Sequence, residues 1–309
     1  MTILKIHIPE LPQTEVTGEL KHILTVGVQH NPATQMCNSA SEADYVFLDF
    51  RHFQLIKGQP YSPTKTIVVD FSDAPHYLCP LDTLLYFKRS VIDRKTKGFV
   101  EYPRQVVPIS YCVKEAYLNK KPFSAQPRDI DIAAFFDGKE HPEEAKNYYR
   151  SAVSQYIIKE FGHLNIKVGI VGEAGRTGRN RFQREYFETM TRAKIVVTCN
   201  PDRWEGDYRL FEALSSGCLV LSDKMLTPVE NPLVDGEHLI YYDRDNLDSL
   251  GEALTVMLED DSARNHMADN GYAHAMSLHT PSARIDEILR WILTAKRRVK
   301  NPAAGGNAG

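Results

Sequence analysis

Hydrophobic and polar positions alternate along this chain in two rhythms, one of period two and one close to 3.6. In the first third, His22–Val28, Asp44–Phe50, Thr66–Phe71 and Val106–Tyr111 are short runs of Ile, Val, Leu and aromatic residues. Each is bounded by Pro, Asn, Ser or Gly, a pattern that predicts strands. The second stretch is cleaner. Strands are predicted at Ile130–Phe136, Ile166–Val171, Lys194–Cys199, Cys218–Ser222 and His238–Tyr242. Between and after them, helices are predicted at Pro142–Phe161, Asn180–Arg192, Tyr208–Ser216, Leu247–Leu258 and Ser262–Ser277. Tyr149, Val153, Tyr156, Ile157 and Phe161 lie on one face of the first of these helices. Strands separated by helices of this length imply βαβ units and parallel sheets.

The two stretches meet at a polar join, Asn119–Arg128, which carries two prolines and reads as a linker. The predicted division is therefore 1–120 and 128–279, then a terminal helix at 280–300 and a Gly/Ala/Asn-rich tail at 301–309. Thr280 suits the N-cap of the terminal helix and Pro281 its first position. Ile285, Ile288, Leu289, Ile292 and Leu293 form one apolar stripe, and Lys296, Arg297, Arg298 and Lys300 close the helix. That basic end reads as a solvated cap complementing the helix dipole rather than a membrane-surface site.

Composition narrows the function classes. The 309 residues are 42% hydrophobic and 25% charged with mean hydropathy −0.36, as in ordinary soluble domains. A net charge of −3 argues against a nucleic-acid binder, so none is expected as a partner. The five cysteines, at 37, 79, 112, 199 and 218, form no C-x-x-C pair, so neither a disulfide framework nor a zinc site is expected. No run of about 18–20 apolar residues is present, and the first residues lack a secretory pattern. The expectation is a protein without a transmembrane segment, in a reducing, cytoplasmic compartment.

Open parallel sheets bind ligands beyond the carboxyl ends of their strands, so the loops leaving predicted strands hold the candidate chemistry. The most informative follows Lys194–Cys199. There Gly206 permits close backbone approach, and the N–H groups opening the Tyr208 helix suit a phosphate. Asp207 reads as the N-cap of that helix. Arg209 and Glu212 share a helical face, with Ser215 and Ser216 one turn on, while Leu210, Phe211, Ala213 and Leu214 fill the rest. A carboxylate can accept from the vicinal hydroxyls of a ribose, and a guanidinium suits a diphosphate. A solvent-facing Arg209–Glu212 ion pair is the competing reading. A second loop, Gly172-Glu-Ala-Gly-Arg-Thr-Gly-Arg-Asn-Arg181, places Arg176, Arg179 and Arg181 after a strand. It reads either as an anion-binding loop or as a solvent loop.

Asp207-Tyr-Arg-Leu-Phe-Glu-Ala-Leu-Ser-Ser-Gly-Cys-Leu-Val-Leu-Ser-Asp223 resembles the donor-site signature of exostosin-like glycosyltransferases, in which an Arg-Leu-x-Glu-Ala-Leu helix leads into Gly-Cys and an apolar strand. The preceding Tyr186–Pro201 is similar to their helix, strand and proline-containing loop. Gly236–Asp243 and the His279-Thr-Pro stretch resemble related two-domain glycosyltransferases. The likeness runs over roughly residues 100–295 and is strongest at 184–223. Such enzymes occur in animals, plants and some large algal viruses. The resemblance implies an α/β, GT-B-like fold with two Rossmann-like domains facing across a cleft. The first would be the acceptor-side domain and the second would bind the nucleotide sugar, with the terminal helix packed back on the first. By position, Glu212 would hold the ribose and Arg209 the diphosphate, with Tyr208, Ser216 and the three loop arginines as further donor-binding candidates. Many retaining relatives carry a second glutamate eight positions before the first. Here that position is Trp204, and Glu205 is one residue out of register, which fits inverting chemistry.

Inversion requires one general base for the acceptor hydroxyl, and the resemblance places it on the first domain. Asp73, leaving a predicted strand ahead of Pro75, is the first candidate and His76 the second; Asp49, His52 and Asp70 are weaker. An Asx-type turn is the alternative role for Asp73. Lys88 and Arg89, in an aromatic setting, are candidates for a diphosphate contact. Two Asp-x-Asp triplets, Asp129/Asp131 and Asp243/Asp245, lie at positions unsuited to a metal-bound diphosphate. No metal or cofactor is therefore expected, and arginines would neutralise the leaving group. The expected partners are a nucleotide-diphosphate sugar, with UDP as carrier, and a glycan or glycoprotein acceptor. A nucleotide-sugar epimerase and a non-catalytic sugar-nucleotide module are the alternatives.

Overall fold

The computed structural model describes residues 3–10, 18–50, 61–72, 76, 82–91, 102–118, 127–136, 139–143, 147–169, 184–200 and 208–300. The chain divides into two compact units, Met1–Ile109 with Pro281–Gly309, and Ser110–Thr280. The division falls ahead of the polar join, so residues 110–118 pack with the second unit.

The first unit is built on six parallel strands: β1 (Leu4–His7), β2 (Thr34–Met36), β3 (Tyr45–Asp49), β4 (Thr66–Asp70), β5 (Leu85–Lys88) and β6 (Val106–Pro108). Their order is β2-β1-β3-β4-β5-β6. Every residue of β3, β4 and β5 is buried, as expected of strands covered on both faces. Helix α1 (Gly18–His30) replaces the strand predicted at His22–Val28. Its β-branched residues favour a strand by propensity, but Ile23, Leu24, Val26 and Val28 are buried along a helix, and packing overrides propensity. At Gly27 a Cβ would stand 2.6 Å from the Pro281 carbonyl oxygen and 2.7 Å from Ile285 Cγ1. Pro281 and Ile285 belong to the terminal helix, Pro281–Lys300, which lies against α1. Asn31 Nδ2 donates to Asp286 Oδ1 at 2.7 Å and to the Ser282 carbonyl at 3.1 Å, fastening the two helices at one end.

The second unit contains α2 (Glu115–Leu118), β7 (Ile130–Ala134), α3 (Tyr148–Phe161), β8 (Ile166–Val168) and α4 (Arg184–Arg192). It continues with β9 (Ala193–Thr198), α5 (Tyr208–Ser215), β10 (Leu219–Asp223), β11 (Ile240–Tyr242), α6 (Asp248–Glu259) and α7 (Asp261–Leu278). The terminal helix is α8. The five strands are parallel in the order β11-β10-β9-β7-β8. On one face Ile132, Ile195, Val197, Leu219 and Leu221 pack against Val153 and Ile157 of α3 and Leu250 and Leu254 of α6. Gly251 allows that helix contact, since a Cβ there would meet the Tyr156 hydroxyl at 2.2 Å. Arg128 closes the opposite end of the sheet. Its guanidinium donates to the carbonyls of Thr191, Ala193, Ser216 and Gly217 at 2.9, 2.7, 3.3 and 2.6 Å. Among the described residues, no helix is long and apolar enough to cross a membrane.

Candidate active site

Helix α5 leaves the carboxyl end of β9, so its first turn lies where open parallel sheets receive ligands. Leu210, Phe211, Ala213 and Leu214 are buried in the unit, and they carry Glu212 into the interior with them. A buried carboxylate requires partners. Glu212 Oε1 pairs with Lys114 Nζ at 3.1 Å, and Oε2 accepts from the Tyr186 hydroxyl at 3.0 Å. These contacts replace the solvent-facing Arg209–Glu212 pair weighed from the sequence. Arg209 is half-buried on the first turn of α5.

The surroundings of Glu212 are aromatic. Tyr208 stacks on Tyr111 with ring centroids 3.8 Å apart, and Lys114 Nζ stands 4.5 Å above the Tyr208 ring. Tyr186 turns its ring edge-on to Phe135, while Tyr117 packs against Phe187. Burial, and secondarily the negative charge of Glu212, pushes the Tyr117 hydroxyl well above the usual tyrosine range, so it stays neutral. The segment bearing Lys114 is anchored by the Val113 N–H, which donates to the His279 carbonyl at 2.7 Å.

A second polar group fixes the end of β9. Asp223 Oδ1 accepts from the Asn200 backbone N–H and side-chain amide at 2.8 and 3.0 Å, and Oδ2 takes Arg244 at 3.0 Å. Arg244 also donates to the Asn200 carbonyl at 3.2 Å and lies 4.0 Å over the Tyr149 ring. Arg150 holds the Cys199 carbonyl at 2.8 Å. The backbone at Cys199 and Asn200 is thus clamped from three side chains.

Of the sequence-derived candidates, Arg209, Glu212 and Tyr208 share α5. Ser216 is fully buried, and its hydroxyl donates to the Ala213 carbonyl at 2.7 Å. Arg176, Arg179, Arg181, Asp73, His52, Trp204, Glu205, Gly206 and Asp207 lie outside the described residues; His76 is exposed. Lys88 and Arg89, the candidates for a diphosphate contact, are placed as follows. Both are buried in the first unit, where Lys88 Nζ donates to the Ser72 carbonyl and hydroxyl at 3.0 Å each and stands 3.5 Å from Asp70. Arg89 Nε donates to the Phe71 carbonyl at 2.9 Å. These donors hold the backbone at Phe71 and Ser72. Asp70 itself accepts from the Tyr86 hydroxyl and the Ser72 N–H, and Asp49 is buried.

Asp129 and Asp131 pair with Arg192 and Lys194 at the amino end of the sheet. Asp243 accepts from the Asp245 N–H, and Asp245 from the Tyr149 hydroxyl. Among the described residues, no group of three or more His, Cys, Asp or Glu is placed to hold a metal ion. Lys114, Tyr186, Asp223 and Arg244 were not singled out from the sequence. The one local signal was a lone cation in the aromatic run Tyr111–Tyr117.

Residues 142–290 match the family described as glycosyl transferase-like. No curated protein matches the sequence. Among solved structures, an alpha-glucosyltransferase in complex with UDP and a 13-mer DNA superposes with TM-score 0.57 at 11% identity, covering 94% of this chain and 100% of its own. A glycosyltransferase from Rickettsia africae ESF-5 gives TM-score 0.53 at 10% identity, over 97% of this chain and 99% of its own. TarM gives 0.52 at 11% identity over 80% of this chain and 54% of its own. Two parallel-sheet α/β domains in this arrangement of elements are the GT-B fold. One expectation falls with these findings. Nucleic acid was excluded on net charge, yet a chain of this fold, matched over nearly its whole length, is solved with DNA. Net charge sums the whole surface, whereas a local basic face decides binding.

Proposed function

We propose that this chain, a glycosyltransferase of GT-B fold, takes its sugar from a nucleotide-diphosphate donor with UDP as carrier and transfers it to an acceptor hydroxyl with inversion. The reading rests on Glu212, a buried carboxylate at the ligand-binding end of a parallel sheet, backed by Tyr186 and set among aromatic rings. Its two oxygens suit the two vicinal hydroxyls of a ribose. The first turn of α5, with Arg209, then takes the diphosphate. Arg176, Arg179 and Arg181 are the further donor contacts in this reading, and these cations rather than a metal neutralise the leaving group. A UDP-bound structure of the same fold is consistent with the choice of carrier.

In the transfer, the acceptor oxygen bonds to the anomeric carbon as its proton passes to the carboxylate of Asp73. The bond from that carbon to the β-phosphate oxygen breaks, and its electron pair leaves with UDP. The network of Asp70, Lys88 and Arg89 fixes Phe71 and Ser72, which precede Asp73 in the sequence. Inversion, and with it the exostosin-like assignment, is supported by Trp204 standing where retaining relatives carry a glutamate. The acceptor in this reading is a glycan or glycoprotein.

The test is turnover of UDP-sugars with glycan and duplex-DNA acceptors, read as UDP release and as the anomeric configuration of the product by NMR. Asp73→Asn should leave UDP affinity unchanged and slow transfer by about 100-fold or more. Near-full turnover of that variant would remove Asp73 as base. A product with the donor's anomeric configuration would overturn inversion.

A further inference from the structure

In the first unit, too, a ligand is received beyond the carboxyl ends of the parallel strands, in the crevice where the strand order changes direction. In the order β2-β1-β3-β4-β5-β6 that point lies between β1 and β3, since the chain leaves β1 for β2 on one side and builds from β3 onward on the other. His7 is the last residue of β1, in register with Val46 of β3. Its Nδ1 lies 3.2 Å from the carbonyl oxygen of Cys37, the residue that follows β2. A carbonyl oxygen only accepts, so Nδ1 carries the hydrogen, and in the neutral ring the lone pair falls to Nε2. The Cys37 N–H donates to the Ile6 carbonyl at 3.0 Å, so strand pairing sets the position of that oxygen and, through it, the ring. The imidazole is half-buried, and among the described residues no hydrogen bond is made to Nε2. Tyr61 meets the imidazole edge-on, with ring centroids 6.2 Å apart. Tyr61 and Cys37 are both seated on the apolar cluster that holds Val46 and Leu48, and Tyr61 is also half-buried.

We infer that His7 and Tyr61 recognise the sugar acceptor on the first unit, His7 Nε2 accepting a hydrogen bond from a sugar hydroxyl and the Tyr61 ring covering a C–H face of the same sugar. This inference rests on the reading of the chain as a transferase to an acceptor hydroxyl, and it names residues for that acceptor. A pyranose carries hydroxyls around its rim and C–H groups on its faces, so a few directed polar groups beside an aromatic surface suit it. An imidazole whose one hydrogen is committed to a backbone carbonyl presents an acceptor and no donor. It therefore selects a neutral hydroxyl over a phosphate or carboxylate, which would need a donor there. The hydroxyl it binds is not the attacking one, whose proton passes to Asp73 in the proposed transfer. His7 thus governs affinity for the acceptor and not affinity for the nucleotide. A histidine present only to cap the Cys37 carbonyl would use Nδ1 alone, and loss of Nε2 would then change nothing.

The experiment is saturation-transfer NMR titration of the full chain with the methyl pyranosides of glucose, galactose and mannose, in wild type, His7→Asn, His7→Gln and Tyr61→Ala, each checked by a thermal melt. The amide of His7→Asn stands at the place of Nδ1 and keeps a donor for the Cys37 carbonyl, but puts no atom at the place of Nε2. The expected result is binding of at least one glycoside by wild type, weakened about 3- to 10-fold in His7→Asn, with the melting temperature and the UDP affinity unchanged. His7→Gln, whose side-chain oxygen reaches the place of Nε2, should recover part of the loss. Should His7→Asn not fold, Tyr61→Ala carries the comparison, since it removes the aromatic face and leaves the imidazole on Cys37. Equal glycoside binding in wild type and His7→Asn would overturn the inference and leave His7 a cap on the Cys37 carbonyl. A calorimetric UDP titration separates the two readings. If wild type binds UDP but no glycoside, the donor reading stands and the His7 assignment fails. If wild type binds a glycoside through His7 but no UDP, the transferase reading fails and a sugar site remains. If it binds neither, both fail.

Discussion

Arg128 and Glu212 are charged residues set into a largely apolar unit, and each is kept there by a different chemistry. Arg128 has four backbone carbonyls for its guanidinium, two of them, Ser216 and Gly217, just beyond the C-terminal end of α5. That end carries the negative pole of the helix, so oriented dipoles stand in for a carboxylate. Burial, the leading cause, lowers the Arg128 pKa from its ordinary value, and the geometry still holds it protonated through directed acceptors. Arg128→Met should destabilise the chain by about 2 kcal/mol, because carbonyls that water does not fully reach lose their donor. Arg128→Lys should recover only part of this, since one ammonium cannot span a fork of four acceptors. Urea unfolding measures both. An Arg128→Met variant as stable as wild type would show that water replaces the guanidinium without cost. Glu212 instead holds two side-chain partners, Lys114 and Tyr186, which in the proposed function the hydroxyls of a ribose replace or share.

At the scale of elements, α1 and α8 depend on one glycine. A methyl group at Gly27 would gain about 1 kcal/mol of helix propensity. It would also stand 2.6 Å from a backbone oxygen of Pro281, which cannot rotate away. Overpacking of this kind costs about 1–3 kcal/mol, so the clash outweighs the propensity. Gly27→Ala should therefore lower the thermal midpoint, and a raised midpoint would mean that the two helices separate easily. The same pair shows what local patterns miss. His22–Val28 looks like a strand because Ile23, Thr25, Val26 and Val28 are β-branched; its helical state is set by packing on α8, from the other end of the chain. Strand β5 is hidden in the sequence for a related reason. Lys88 is buried within it, and a lysine in a four-residue run argues against a buried strand unless its partner, Asp70 on β4, is known.

Across the whole molecule, the α/β class was legible because the second half repeats short strand and amphipathic helix over many residues, and the five parallel strands follow that repeat. The candidate site was legible only where it is local in sequence. Arg209 and Glu212 declare themselves on one helix of eight residues. Lys114 and Tyr186 reach Glu212 from separate elements, and no spacing along the chain marks such a meeting. The exclusion of nucleic acid failed for a different reason, since a sum of charges over 309 residues holds no information on how they are distributed. In the proposed function, α5 presents a nucleotide-sugar site centred on Glu212. Calorimetric titration of UDP into the full chain, wild type against Glu212→Ala, tests it most directly. Wild type should bind saturably, and the variant should lose about tenfold or more, the worth of a charge-assisted hydrogen bond. Absence of UDP binding by wild type, or equal affinity in both, would contradict it.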